Sequence, residues 1–213
     1  MKYIITENQF YLLNESLIGK SFVGNSCSPD TISGKTWQEL YKELVEKKMI
    51  NNSEKLLIVW GPTQTLYYTQ DGKSELKTMK VSTGINGFGN DENNKRTPTG
   101  LLKIDGKIKG EKYEVLVGKT PTRKKLGPNK PSNRVDKKTG KTHYAEVLTG
   151  ILELDGVESC NDNAFSRNIY FHGTNYEYQL GRRASNGCIR VSNDNILWML
   201  SNISEGTKVY IKP

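Results

Sequence analysis

Residues 167–190 read R-N-I-Y-F-H-G-T-N-Y-E-Y-Q-L-G-R-R-A-S-N-G-C-I-R, and this stretch organises the reading of the whole chain. It opens on an apolar, strand-like run, Ile169, Tyr170 and Phe171, that delivers His172 at the strand's end. Ser185 follows thirteen residues later, then Asn186, Gly187 and Cys188. A thiol is a weak nucleophile at neutral pH until a base takes its proton or a cation stabilises the thiolate. An imidazole beside Cys188 supplies both, as a thiolate–imidazolium pair. Gly187 permits a sharp turn and close backbone approach, so the amides of Asn186, Gly187 and Cys188 are the expected oxyanion donors. The carbonyl of Gly173 is placed to accept from the second imidazole nitrogen and fix the tautomer. The competing reading is a buried structural thiol and an unrelated surface histidine. The polar Ser-Asn-Gly setting of Cys188 does not look like the middle of a core strand, and it argues against that alternative.

Outward from this stretch the chain is rich in strands and turns. The runs 56–61, 65–69, 77–83, 113–117, 145–154 and 208–212 read as strands, with Asp71-Gly72 as a hairpin turn and Gly106 as a turn. Residues 85–96 hold two glycines and four asparagines and read as loop. Ser192 caps a short helix over 193–200. The first fifty residues differ. Thr6 with Gln9, and Thr36 with Glu39, resemble capping boxes. Phe10, Leu13 and Leu17, then Trp37, Leu40, Tyr41, Leu44 and Val45, recur at helical spacing, the second helix ending at Asn51-Asn52. Two short helices packed on the main domain are expected, and the Trp-Tyr-Leu stripe reads as core.

The 213-residue chain carries a net charge of +8 and no apolar run long enough to span a membrane. The common reading of that charge is a soluble, charged surface; the functional reading is an anionic partner, and no nucleic-acid motif or zinc-ligand spacing is present. Residues 119–141 concentrate the charge, with nine basic residues and one acid, Asp136. The N-terminus has no apolar leader core, so synthesis in the cytosol and another route of export are expected. Of the three cysteines, Cys188 must stay free if it is the nucleophile. Cys27 and Cys160 have the option to bridge, but a reduced pair is the default without a leader. His143, at the end of the basic stretch, is the rival base.

H-G-T-N at 172–175, L-G at 180–181 and S-N-G-C-I-R at 185–190 resemble the signature of the L,D-transpeptidase catalytic domain (YkuD-type) family. That signature is a histidine, a short variable loop, then Ser/Thr-His-Gly-Cys, an apolar residue, and Asn or Arg. Asn186 stands where the family most often has a second histidine. T-P-T-G at 97–100, V-L-V-G-K-T-P-T at 115–122, L-T-G-I-L-E-L-D-G at 148–156 and G-T-K-V-Y-I at 206–211 are similar to family segments.

The resemblance implies a mainly β fold, an L,D-transpeptidase-like sandwich or barrel with a few short helices, over 54–213. Residues 1–53 are then a helical appendage, and 119–143 a basic lid over the cleft. It implies acyl transfer on peptidoglycan tetrapeptide stems: Cys188 as nucleophile, His172 as base, Gly173 as its orienter. Arg190, Tyr170 and Ser185 are the substrate-binding candidates, Arg190 because its planar fork suits a carboxylate. The acyl group passes to an amine, giving a 3→3 cross-link, or to water. A stem-cutting hydrolase and a non-catalytic wall-binding module are the alternatives. Carbapenem-type β-lactams are the implied inhibitors, no metal or organic cofactor is implied, and a monomer is expected.

Overall fold

The computed structural model describes residues 28–92 and 94–213. A four-residue helix α1 (Ser28–Thr31) and helix α2 (Trp37–Glu46) precede the strands. These are β1 (Leu56–Trp60), β2 (Thr65–Thr69), β3 (Lys77–Lys80), β4 (Gly100–Lys109), β5 (Glu114–Val117) and β6 (Thr120–Lys125). A small ribbon, β7 (Arg134–Val135) and β8 (Thr142–His143), leads to β9 (Val147–Gly156) and β10 (Tyr170–Thr174). The chain ends with β11 (Ile189–Val191), helix α3 (Asn193–Asn202) and β12 (Lys208–Lys212). The architecture is mainly β.

Eight strands run in the order β11-β10-β9-β4-β12-β1-β2-β3, with the β5–β6 hairpin added on β9. Most neighbours are antiparallel; β1 with β12 and β10 with β11 are parallel. The sheet curls until its ends meet. Past β3, Ser82 bridges Arg190, with both backbone N–H···O bonds at 2.9 Å, and Gly84 bridges Ser185. The strand that carries the nucleophile's turn is therefore the seam of a closed barrel, which removes two sheet edges. Alternation along the strands sends Leu57, Val59, Leu102, Leu152, Phe171, Ile189 and Val191 into the main core, beneath Ile196 and Met199 of α3.

Helix α2 closes the opposite face. Thr36 caps it, accepting from the Glu39 amide at 3.2 Å, and its buried Trp37, Leu40, Tyr41 and Leu44 pack on Leu56, Ile58, Leu101 and Tyr210. Each fully buried leucine contributes roughly 1.5–3 kcal/mol, and Trp37 stacks on Tyr67 at 5.3 Å. Residues 28–53 thus share a core with the sheet. The helix stops at Glu46, ahead of Asn51, because Lys48 turns left-handed (φ 57°).

Several local expectations are corrected. Gly106 is no turn: β4 runs through it, and the register with β9 slips between Ile104 and Gly106 to absorb it as a bulge. The β9 run continues through Asp155-Gly156. The basic stretch is not plain loop, since β6, β7 and β8 lie in it. Cys160, expected to be reduced and incidental, is disulfide-bonded; Cys188 is the free cysteine among the described residues. Cys27 and the expected helix near Phe10 lie outside the described residues.

Candidate active site

Strand β10 places His172 opposite Arg190 of β11 in a parallel ladder, and opposite Ile151 of β9. Cys188 precedes Arg190 by two residues, so strand alternation brings both side chains to the face that carries Tyr170 and His172. There Cys188 packs against a small cluster of Leu116, Ile151 and Tyr170. The seam of the barrel, its first turn and the adjacent strand thus assemble one site from Tyr170, His172, Cys188 and Arg190.

The histidine is held in one tautomer. After His172 the β9–β10 register slips, and the Gly173 carbonyl lies 2.7 Å from His172 Nδ1. A carbonyl only accepts, so Nδ1 carries the proton and Nε2 keeps its lone pair. Gly173 is required for this packing. A Cβ there would lie 2.5 Å from Asn193 Oδ1 and 2.7 Å from the Leu148 carbonyl. Asn193, fully buried, binds this end of β10 to its surroundings. Its Nδ2 donates to the Thr174 carbonyl (2.8 Å) and Glu177 (2.7 Å), and its Oδ1 accepts from Thr149 (2.5 Å).

The nucleophile's turn is braced from two sides. Ser185 Oγ accepts from the Gly187 amide at 3.1 Å and donates to the Cys188 carbonyl at 2.5 Å. Thr97, first residue of the T-P-T-G segment, donates to the Gly187 carbonyl at 2.8 Å while its Oγ accepts from the Gly84 amide. Two expectations change here. Ser185 is buried (1% exposed) and its hydroxyl holds the turn rather than lining a cleft. The Gly187 amide is occupied by that hydroxyl, so it is not an available oxyanion donor.

The sulfur itself is parked. Cys188 Sγ donates to the Asn168 carbonyl at 3.2 Å, and the Tyr170 amide donates to the sulfur. Asn168 sits at φ 55°, a left-handed conformation that asparagine tolerates, and its Oδ1 accepts from the Tyr170 hydroxyl at 2.5 Å. Burial pushes the Cys188 thiol up, opposed by that amide and by the charges of Arg190 and Arg167. Burial, with the Arg190 charge next, holds His172 down to about 4, against the Gly173 hydrogen bond. Both shifts favour uncharged forms. Burial thus favours the neutral thiol and the neutral imidazole over the ion pair expected from the spacing. Arg190 is buried and donates to Gln179 Oε1 at 3.1 Å, with no carboxylate partner among the described residues.

Tyr170 is buried in the wall of the site, its ring capped by Lys119 at 5.4 Å. Lys119 also pairs with Glu153 and covers Phe165, which fixes the β5–β6 hairpin beside the nucleophile. Farther along the basic segment, Arg134 forms a two-pronged pair with buried Glu146 (2.7 and 3.0 Å). Asn175, at the end of β10, donates to the carbonyls of Lys130 and Tyr144. His143 lies on β8, its nearest acid Asp136 at 3.9 Å. No cluster of metal-ligating side chains occurs among the described residues.

With this geometry in place, comparison with known proteins is direct. Residues 54–211 match the YkuD family model, the L,D-transpeptidase catalytic domain. The chain belongs to this family. YqjB of Bacillus subtilis, named as an L,D-transpeptidase, is 48% identical over 123 residues, covering 55% of this chain and 68% of that protein. "Probable L,D-transpeptidase YcfS" of Escherichia coli is 27% identical over 146 residues, covering 68% of this chain and 40% of that one. This chain therefore spans well under half of YcfS. Among solved structures, an L,D-transpeptidase from Mycobacterium smegmatis superposes with TM-score 0.48 at 17% identity, covering 75% of this chain and 59% of the other.

Asn168 and Asn193 support this site without any sequence pattern of their own to flag them, and Thr97 does so from within T-P-T-G. T-P-T-G did stand out, but as a familial segment rather than as a brace for the nucleophile.

Proposed function

We propose that this L,D-transpeptidase-family chain carries out cysteine-dependent acyl transfer on peptidoglycan tetrapeptide stems. The observation that carries the reading is the tautomer lock: Nδ1 is fixed on Gly173, so Nε2 is free to take the proton of a thiol on the same face. On substrate binding the S–H leaves the Asn168 carbonyl and its proton passes to Nε2. The sulfur attacks the carbonyl between the L-centre of the third stem residue and the terminal D-alanine. The amides of Asn186 and Cys188 are the donors assigned to the oxyanion. Nε2 returns the proton to the departing D-alanine amine, leaving a thioester on Cys188. An acceptor amine, or water, then loses its proton to Nε2 and displaces the thiol. An amine gives a 3→3 cross-link; water gives a carboxypeptidase outcome.

A neutral resting pair suits this sequence, because charge develops only as the bond forms. The buried Arg190, with no carboxylate partner among the described residues, is assigned to a substrate carboxylate. The segment 119–143, latched by Arg134–Glu146, is the assigned lid, and its unpaired lysines draw anionic stems by long-range field. The cell wall is the proposed place of action. No helix among the described residues is long and apolar enough to cross a membrane.

The test is incubation of the protein with disaccharide-tetrapeptide and mass analysis of products. Loss of D-alanine with dimer formation supports transfer, and loss of D-alanine alone supports hydrolysis. Neither product, with Cys188 still alkylatable, rejects the reading.

A further inference from the structure

Beside the nucleophile's turn lies an opening. It is a pocket of about 250 Å³ lined by Asn94, Lys95, Arg167, Ile169 and Asn186. Ile169, buried, is its floor, and the turn rests on it: a Cβ on Gly187 would lie 3.2 Å from Ile169 Cδ1. One lining residue, Asn186, stands two positions before Cys188 in the nucleophile's turn. Cys188 Sγ sits on the carbonyl of Asn168, the residue after Arg167, and the Arg167 charge acts on the Cys188 thiol.

The charges around it are set up for an anion. Arg167 donates to the carbonyls of Gly89 (3.3 Å) and Arg96 (2.6 Å), which fixes the guanidinium but does not neutralise it. Asp91 and Glu92 act on it through space, yet Asp91 already engages Arg96 at 3.5 Å, and Arg167 forms no ion pair among the described residues. Lys95, exposed and at φ 56°, has no ion pair among the described residues either. Asn186, exposed on the turn itself, adds an amide that can donate. A fixed cation, a mobile cation and a side-chain amide around an apolar floor match a carboxylate on a small residue.

We propose that this pocket is a carboxylate subsite, separate from Arg190, that holds the terminal carboxylate of a peptide unit one residue from the scissile carbonyl. The unit is the leaving D-amino acid of the donor or the incoming acceptor; the inference rests on the acyl-transfer reading for those identities, though not for the pocket's preference for carboxylates.

The first test needs no peptide substrate. Iodoacetate and iodoacetamide alkylate Cys188 with the same leaving group, one as a carboxylate and one neutral. Any change in thiolate population affects both equally, so their rate ratio isolates anion binding. Arg167→Gln lowers the iodoacetate-to-iodoacetamide ratio about tenfold, the range expected for local anion concentration by a charged cleft. Because Arg167 also ties two loops together, Lys95→Glu, at an exposed side chain, is the second variant, and it lowers the ratio severalfold at low salt. A ratio unchanged in both variants overturns the proposal. In the second test, stems amidated at the donor's C-terminus acylate wild type poorly and lose that handicap in Arg167→Gln if the leaving residue is the occupant. Amidation of the acceptor slows only thioester resolution if the acceptor is. If neither stem reacts but the alkylation ratio falls in the variants, the acyl-transfer reading fails while the carboxylate pocket stands.

Discussion

Replacing His172 by Gln tests the electrostatics of the site without any substrate. In the folded protein the imidazole protonates at about 4, against an ordinary value of 6.5. The unfolded chain therefore binds a proton between those limits that the folded chain refuses. The folded state keeps the full benefit of a neutral His172 above pH 6.5 and loses it as pH falls towards 4. At about 1.36 kcal/mol per pKa unit the loss is about 3 kcal/mol, complete below the folded pKa. That is a large fraction of the stability of an ordinary domain. Urea denaturation at pH 7, 5.5 and 4 measures it. Carboxylates with lowered pKa values, such as Glu114 and Asp136, titrate in both proteins and cancel in the difference. Wild type should lose about 3 kcal/mol more than His172→Gln between pH 7 and 4. Arg190→Gln, which removes a charge that lowers the His172 pKa, should shrink the wild-type loss. Parallel stability curves for wild type and His172→Gln would refute the buried, neutral imidazole.

Cys188→Ala, a small change at a half-buried side chain, should lower Tm by only a few degrees and abolish both turnover and the covalent carbapenem adduct seen by intact mass. An adduct that persists in this variant rejects the nucleophile. Gly173→Ala forces a methyl against Asn193 and the Leu148 carbonyl, costing about 1–3 kcal/mol of stability. Its rate of D-alanine release should fall far more than its stability, because the methyl pushes the backbone, and with it the carbonyl that orients the imidazole, out of place; a fall in Tm with normal turnover would show that this backbone position does not matter to the reaction. Arg134→Met strands the buried Glu146 carboxylate, at about 2 kcal/mol. Trypsin should then cut the β7–β8 ribbon, at Lys137 or Lys138, before the barrel, and unaltered cleavage rates would remove the latch from the account.

The patterns that survive translation into one dimension were readable from the chain alone. Thr36 capping a Trp-Tyr-Leu stripe, the apolar runs at 56–60 and 208–212, and the histidine sixteen residues before Cys188 all depend on near neighbours and fixed periods. The bulge at Gly106 and the strands within the basic segment were not readable, because a glycine or a lysine run looks the same in a loop as in a strand until a partner strand is present. The loop over 85–96 was correctly read as loop, but its place beside the nucleophile was not visible, since the contact of Arg96 with Arg167 spans some 70 residues and that of the adjoining Thr97 with Gly187 spans 90.

The sequence by itself determined which groups were available for chemistry: one thiol in a Gly-Cys turn, one histidine at a strand's end, one arginine two residues on. Tertiary structure alone decided their states. Closure of the barrel at Ser82 and Arg190 buried the imidazole and the guanidinium together. The Ser185 hydroxyl accepts from the Gly187 amide, and the Asn168 carbonyl accepts a hydrogen bond from the thiol. Protonation and hydrogen-bond direction depend on desolvation and on partners brought from distant parts of the chain, and those are set only when the sheet has curled shut.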